Sequence, residues 1–322
     1  MAFNRDVLKL DAEAVIDDLT RRLKRSVRGE LKRGGAVVGI SGGIDSSVVL
    51  ALSVRAFGKE KVRGVMMPEE DSNPESEALA RELCTAVGAA EPMLENMTPS
   101  LAGFDCYGRR DEAIKRVFPE FDEGWKAKIV LPDLLESGTM LNIFRLTVIP
   151  PDGEPMSKRL NLRDYLQIVA ASNFKQRSRM CMLYYHAEML NYAVIGTGNK
   201  NEHDQGFFVK YGDGGADVKP IAHLYKTQVF QLAEHLDVPE SIRTRMPTTD
   251  TYSAECSQEE FFYRLPFELM DLLWYAQENG VPVAEAASVL ELDEQQVQNA
   301  YEDFERKYRT TQYLRAVPIE YR

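Results

Sequence analysis

The segment Ser41-Gly42-Gly43-Ile44-Asp45-Ser46-Ser47 carries the sharpest chemical signal in the chain. It follows a short apolar run, Ala36 to Ile40, and precedes a stretch that reads as helix, Val48 to Phe57. A strand, then small residues, then a helix turns successive backbone N–H groups toward one point. Glycines let a ligand approach without a Cβ in the way. The helix start adds unpaired N–H groups and partial positive charge, and three serine hydroxyls add donors. Such a cradle suits a polyphosphate. It lacks the lysine of the GxxxxGK[ST] loop and does not match GxGxxG. Asp45 would repel phosphate unless a cation lay between them, so its natural role is that of a Mg²⁺ ligand. The competing reading makes Asp45 and two serines ordinary helix caps.

The elements that must position this loop follow from the patterning. Apolar residues at helical spacing from Asp11 to Lys32 (Ile16, Leu19, Leu23 and Val27 among them) predict an amphipathic helix. The continuous apolar run Ala36–Ile40 reads as a buried parallel strand, and another strand fits Val62–Met67. With a helix expected over Pro74 to Val87, the rhythm is that of a parallel sheet with crossover helices. Residues 95–160 are irregular and read as an insertion. The alternating run Leu141 to Ile149, before the turn signal Pro150-Pro151-Asp152-Gly153, predicts a hairpin there. Beyond it come one or two helices over Leu162–Leu190, a strand at Tyr192–Gly196 and a polar, glycine-rich loop from Thr197 to Asp217. Helices then fit Lys226–Leu236, Gln258–Glu278, Val283–Leu290 and Asp293–Lys307. The expected fold is α/β, a doubly wound parallel sheet flanked by helices in one domain, with a C-terminal helical segment at 256–310.

Composition narrows the classes. At 322 residues, 44% apolar and 28% charged, the chain can bury a core without staples. A net charge of −11 argues against a nucleic-acid-coating surface, which needs a basic face. The helices at Val283–Leu290 and Asp293–Lys307 could pass for a DNA-reading pair, but the second carries Asp293, Glu294, Glu302, Asp303 and Glu305, so packing or dimerisation is the better reading. No apolar run is long enough to span a bilayer and no secretory leader opens the chain. Cys84, Cys106, Cys181 and Cys256 form no CxxC pair, as expected of reduced thiols in a cytoplasm.

A second block sharpens the reading. Asn173-Phe174-Lys175-Gln176-Arg177-Ser178-Arg179-Met180 is followed by Gly196-Thr197-Gly198-Asn199-Lys200-Asn201-Glu202. Next come Gly206 to Asp217 (GFFVKYGDGGAD), then Lys226 and Pro247-Thr248. Glu202 lies in a polar loop just after a buried strand, where ligands of open α/β sheets bind, so Asp45 and Glu202 could share one Mg²⁺. Lys226 opens a helix, a position the helix dipole disfavours for a cation; a phosphate ligand would explain it. Taken alone, Arg177 and Lys210 would read as solvated charges.

The phosphate loop resembles that of the adenine-nucleotide α-hydrolase-like ligases, which cleave ATP between the α and β phosphates. The second block resembles the NAD synthetase family of the ammonia-dependent type. That resemblance implies a Rossmann-like fold, and ATP contacts at Gly39, Ile40, Ser41, Gly42, Gly43, Ile44, Asp45, Ser46, Thr197, Lys226 and Thr248. It implies Mg²⁺ at Asp45 and Glu202, and deamido-NAD contacts at Arg177, Lys210 and Asp217. Arg177, Lys210 and Lys226 are expected to gather on one sheet edge. The implied reaction adenylates the nicotinate carboxylate and then displaces AMP with ammonia, with no covalent nucleophile on the protein, in a cytoplasmic homodimer that binds neither nucleic acid nor membrane. About forty residues precede the phosphate loop, too few for an upstream glutaminase domain, so free ammonia or a separate glutaminase subunit is the expected donor. The chain departs from the family in the stretch 95–160 and at Thr311–Pro318, where Arg315 and Pro318 remain but the family's His-Lys pair does not. Those departures leave two alternatives: a related ligase acting on another carboxylate, or a nucleotide-binding subunit of an amidotransferase complex.

Overall fold

The computed structural model describes residues 2–131, 144–248 and 252–321. Among these residues seven strands form two sheets. They are β1 (Ala36–Gly39), β2 (Val62–Met66), β3 (Met93–Leu94), β4 (Lys126–Val130), β5 (Arg145–Ile149), β6 (Met156–Arg159) and β7 (Ala193–Val194). The central sheet runs β3-β2-β1-β7 and every pairing in it is parallel. Side chains of a strand alternate between faces, and the core divides accordingly. Ala36, Val38 and Ile40 pack with the helices Ala12–Lys24, Ile44–Phe57 and Lys226–His235. Val37, Val65 and Val194 pack on the other face with Met180, Leu183 and Ala187 of the helix Leu162–Leu190. Both faces are covered, which is why β1 reads as a continuous apolar run.

The strand order fixes where a ligand can sit. The chain winds outward from β1 through β2 to β3, then returns to lay β7 on the other side of β1. The switch point therefore lies between β1 and β7, and the crevice outside their carboxyl ends is the binding position in sheets of this kind. The phosphate loop leaves β1 there, and Thr197 to Glu202 leave β7 there.

The helix Leu162–Leu190 is a single element of 29 residues. Asn161 caps its start by accepting from the Asp164 N–H at 3.0 Å, and Asn191 ends it in the left-handed region at φ 53°. Its length of about 43 Å far exceeds that of the short strands it covers. Its N-terminal half therefore extends past the sheet edge and walls the crevice.

The middle stretch holds more order than one hairpin. β4, β5 and β6 make an antiparallel three-stranded sheet, and the turn at Pro150–Gly153 joins the last two. Leu141 to Ile143, the start of the alternating run, lie outside the described residues. Ile114, Phe118, Ile129, Leu146 and Val148 share a core with Ile168 and Tyr252 of the main body.

Two expected helices are broken. The first is α-helical over Ala12–Lys24 and passes into a π-helical turn over Arg25–Glu30. The stretch expected as Gln258–Glu278 holds a π-helical turn at Glu259–Tyr263, and a helix only from Phe267 to Glu278. Arg264 between them has φ 66°, and Pro266 has no N–H to continue a helix. Phe267–Glu278, Val283–Leu290 and Glu294–Thr310 then pack around Tyr263, Leu273, Leu290 and Val297, with Trp274 stacked on Phe304 at 5.2 Å. The acidic last helix is a packing element, in line with its charge. Among the described residues no helix is long and apolar enough to cross a membrane.

Candidate active site

A cavity of about 610 Å³ opens at the switch point. Its lining includes Gly39, Ile40, Ser41, Gly43, Ile44, Asp45 and Ser46 from the β1 side, Thr197 and Glu202 from the β7 side, and Lys226 and Thr248. Of the eleven positions expected to meet ATP, only Gly42 is not in the lining. Gly42 has φ 74°, and a Cβ there would sit 3.0 Å from the Ser76 carbonyl oxygen. The loop thus packs directly on the start of the helix Glu75–Ala86. Gly42→Ala should cost about 1–2 kcal/mol in strain. The expected result is a higher KM for ATP and a lower urea midpoint, with a smaller effect on kcat.

The helix-cap reading of the loop does not hold. The helix Ile44–Phe57 starts at Gly43 with no side-chain cap. The hydroxyls of Ser46 and Ser47 donate to the Gly43 carbonyl at 3.0 and 2.8 Å, and the Asp45 carboxylate turns elsewhere. The first-turn amides are left without a side-chain acceptor beside the cavity, the arrangement that takes up an anion.

Asp45 instead accepts from Asn199 Nδ2 at 2.9 Å and from Lys226 Nζ. Asn199 also caps the helix Lys200–Gln205. Its Oδ1 accepts the Glu202 N–H at 3.0 Å, and its own N–H donates to Glu202 Oε2 at 3.1 Å. One asparagine therefore brings the β1 carboxylate and the β7 carboxylate to the same spot. Lys226 is fully buried. Its backbone N–H donates to Asn201 Oδ1 at 3.1 Å, and the buried Asp271 carboxylate accepts from Asn201 Nδ2 and, at 2.8 Å, from the Thr227 N–H. Burial pushes Asp271 up to about 6.

Glu202 is half-buried in the cavity lining. Burial, and secondarily the negative Asp45 beside it, push its carboxyl up to about 8, against the pull of Lys226. Two hard oxygen donors that crowd one another are the donor set a Mg²⁺ shared with phosphate oxygens requires. Among the described residues no group of three or more His, Cys, Asp or Glu is placed to hold a metal ion. A consequence follows for the ligand-free protein. A carboxyl whose pKa is raised on folding contributes stability that is complete below its unfolded value, near 4.5, and is lost as pH rises through about 8. Ligand-free protein should melt lower at pH 9 than at pH 7, and Glu202→Gln should flatten that slope.

Arg177, Lys210 and Asp217 lie elsewhere: none of the three is in the cavity lining. Arg177 is exposed on the long helix and its Nε donates to the Lys210 carbonyl at 3.1 Å. Lys210 Nζ donates to the Tyr313 and Ala316 carbonyls at 2.9 and 2.8 Å. Asp217 accepts from the Val194 N–H at 2.8 Å and from the Tyr184 hydroxyl at 3.2 Å. Of the three residues expected to gather, Lys226 alone lines the cavity, donating to Asp45. The side-chain directions explain the split, since Arg177 leaves a different face of the helix from Gln176, Met180 and Leu183, which do line the cavity. Arg315 holds the C-terminal segment down, donating to the His203 and Asp204 carbonyls at 3.0 Å. This brings Tyr313 and Leu314 to the cavity wall.

Patterning gave no role to Asn199, Asn201 or Asp271. The two asparagines stand inside the second block, but nothing local marks Asp271, 70 residues from its partner Asn201. Asp213 and Lys219 also line the cavity.

Fold and site together define an α/β protein with a strand-loop-helix cradle beside two carboxylates, an arrangement suited to a phosphate-bearing ligand. A sequence model described as NAD synthase matches residues 15–109 and 149–318. The chain belongs to the NAD synthase family. An NH3-dependent NAD⁺ synthetase of Mesorhizobium japonicum is 52% identical over 313 residues, 97% of this chain and 98% of the relative. One from Thermotoga maritima is 38% identical over 216 residues, covering 67% and 71%. Among solved structures, an NH3-dependent NAD synthetase from Campylobacter jejuni shares the fold with TM-score 0.62 at 22% identity, over 97% of this chain and all of the other.

Proposed function

We propose that this chain amidates deamido-NAD to NAD, using ATP and ammonia and releasing AMP and pyrophosphate. The observation that carries the proposal is the convergence of an uncapped phosphate loop, Asp45, Glu202 and Lys226 in one cavity of a chain that matches ammonia-dependent relatives over nearly its whole length. A nicotinate carboxylate oxygen attacks the α-phosphorus, the bond to the bridging oxygen breaks, and pyrophosphate leaves into the Ser41–Ser47 loop. Ammonia then attacks the acyl carbon, the carbon–oxygen bond to AMP breaks, and the nitrogen loses a proton. Asp45 and Glu202 would hold Mg²⁺, which when bound neutralises charge on the phosphate oxygens. Lys226 supplies fixed positive charge at the same place, and the loop amides receive the departing group. Catalysis is positioning and charge stabilisation throughout.

Arg177, Lys210 and Asp217 are assigned to the dinucleotide, outside the cavity. The long helix exposes Leu162 and Leu166 near its start and Tyr185 and Met189 near its end, with Arg177 between the two pairs. A homodimer, as the family resemblance implies, belongs to the same reading, with this helix as the face proposed for the second copy. One domain spanning 1–322, with the stretch 95–160 as its insertion, cytoplasmic location, and ammonia taken free or from a glutaminase subunit complete the reading. The test is AMP release from MgATP and ammonium across a panel of carboxylates. Deamido-NAD should be the preferred substrate by a wide margin. Turnover with another carboxylate and none with deamido-NAD would overturn the assignment.

A further inference from the structure

A second group of charges lies beside the cavity and takes no part in the mechanism above. Residues 67–74 join the end of β2 to the helix Glu75–Ala86, and Glu69, Ser72 and Asn73 of this loop line the cavity. The same helix start meets the phosphate loop at Gly42. The loop therefore forms one wall of the nucleotide end of the cavity and backs the cradle.

Beneath it sit two carboxylates and two cations, almost wholly out of solvent. The side chains of Lys175 and Glu69 are 1% and 0% exposed, those of Arg110 and Asp71 10% and 5%. Lys175 Nζ, from the long helix, donates to Glu69 Oε1 at 3.0 Å and to Asp71 Oδ2 at 2.5 Å. Arg110, from the helix Cys106–Val117, donates to the same Asp71 oxygen and, through Nε, to Asp111 at 2.7 Å. The Tyr107 hydroxyl donates to Glu69 Oε2 at 2.8 Å. The loop closes on itself over these groups. The Asp71 N–H donates to Glu69 Oε2 at 3.2 Å, and the Glu69 N–H to Ser72 Oγ at 3.1 Å. Arg179 adds a tie on the cavity side, donating to the Met67 carbonyl at 3.1 Å and to Ser72 Oγ at 3.2 Å.

Buried charges persist only when paired, and removal of one partner forces the other toward water. Without Arg110, Asp71 would share Lys175 with Glu69, leaving one excess negative charge under the loop. The loop would have to lift to solvate it, which moves Ser72 and Asn73 off the wall and brings negative charge toward the phosphate end. The family match stops at residue 109 and resumes at 149. Arg110 is the first residue of the unmatched stretch.

We propose that Arg110 and Lys175 are positioning residues for the nucleotide, acting through Asp71 and Glu69, and that the unmatched stretch is tied to the catalytic cavity at this point. The proposal rests on the reading that the cavity takes ATP, and not on the identity of the second substrate.

The experiment is calorimetric binding of MgATP to the full chain, with steady-state kinetics in parallel. Arg110→Met should weaken MgATP about tenfold and raise KM for ATP to match, with KM for deamido-NAD and kcat within about twofold. Arg110→Lys, which keeps the charge, should stay within about threefold of wild type. Asp71→Asn added to Arg110→Met removes the stranded charge and should recover MgATP binding to within about threefold. A structural role alone would not give that recovery, nor a change confined to one substrate. If Arg110→Met gives no folded protein, the double variant carries the test: folded protein that binds MgATP like wild type is the expected result. Unchanged MgATP affinity in folded Arg110→Met, equal rises in both KM values, or a double variant that binds ATP about tenfold worse than wild type would each overturn the proposal. Wild-type protein that binds MgATP but forms no AMP from deamido-NAD overturns the substrate assignment and leaves this proposal standing.

Discussion

Asp45→Asn should lower kcat for AMP formation by about three orders of magnitude in a protein that still folds. The substitution preserves shape and removes one formal charge. Three things change at once. One of the two carboxylates proposed to hold Mg²⁺ becomes a neutral amide. Lys226, fully buried, loses its anionic partner. Glu202 loses the neighbouring charge that helps hold its carboxyl up. Ground-state binding of ATP also uses the loop amides, so KM for ATP should rise by less than about tenfold. Pyrophosphate release measured at saturating ATP separates the two effects. A kcat within about tenfold of wild type would remove Asp45 from the reaction centre.

Lys226→Met carries the second large effect. Methionine matches the lysine stem in length and can keep its packing near the Phe267 ring, which Nζ now approaches at 5.4 Å from the centroid. What is lost is the buried ammonium that donates to Asp45. We expect kcat/KM for ATP to fall by a factor of about 10²–10³, roughly 3–4 kcal/mol of transition-state stabilisation. Because Asp45 and Lys226 act as a unit, the double variant should be at most about tenfold worse than the poorer single one. Full additivity would mean the two side chains act on different steps.

What the sequence could show here tracks how local each feature is. The phosphate loop is legible because its constraint is local: Gly42 sits at φ 74° against the Ser76 carbonyl, and the strand and helix on either side are continuous runs. Lys226 is legible because a lysine at a helix start runs against the dipole, and its buried contact with Asp45 accounts for it. The break before Phe267 was written in Pro266 but hidden by an apolar run that continues across it. Features built from distant residues stayed hidden. Asn199 joins two carboxylates 157 positions apart (202 − 45 = 157), and Asp71 meets Lys175 across 104. No periodicity encodes such meetings. Arg177 shows the reverse limit: its place in a motif fixed its helix, yet not which face of that helix it leaves.

Adenylation of a carboxylate is the central step of the reaction, and isotope transfer tests it most directly. Deamido-NAD labelled with ¹⁸O in its nicotinate carboxyl is incubated with MgATP and ammonium, and the products are weighed by mass spectrometry. The account predicts one labelled oxygen in each AMP, unlabelled pyrophosphate, and one NAD per AMP. Label in inorganic phosphate with ADP as the product, or AMP formed without label, would contradict it.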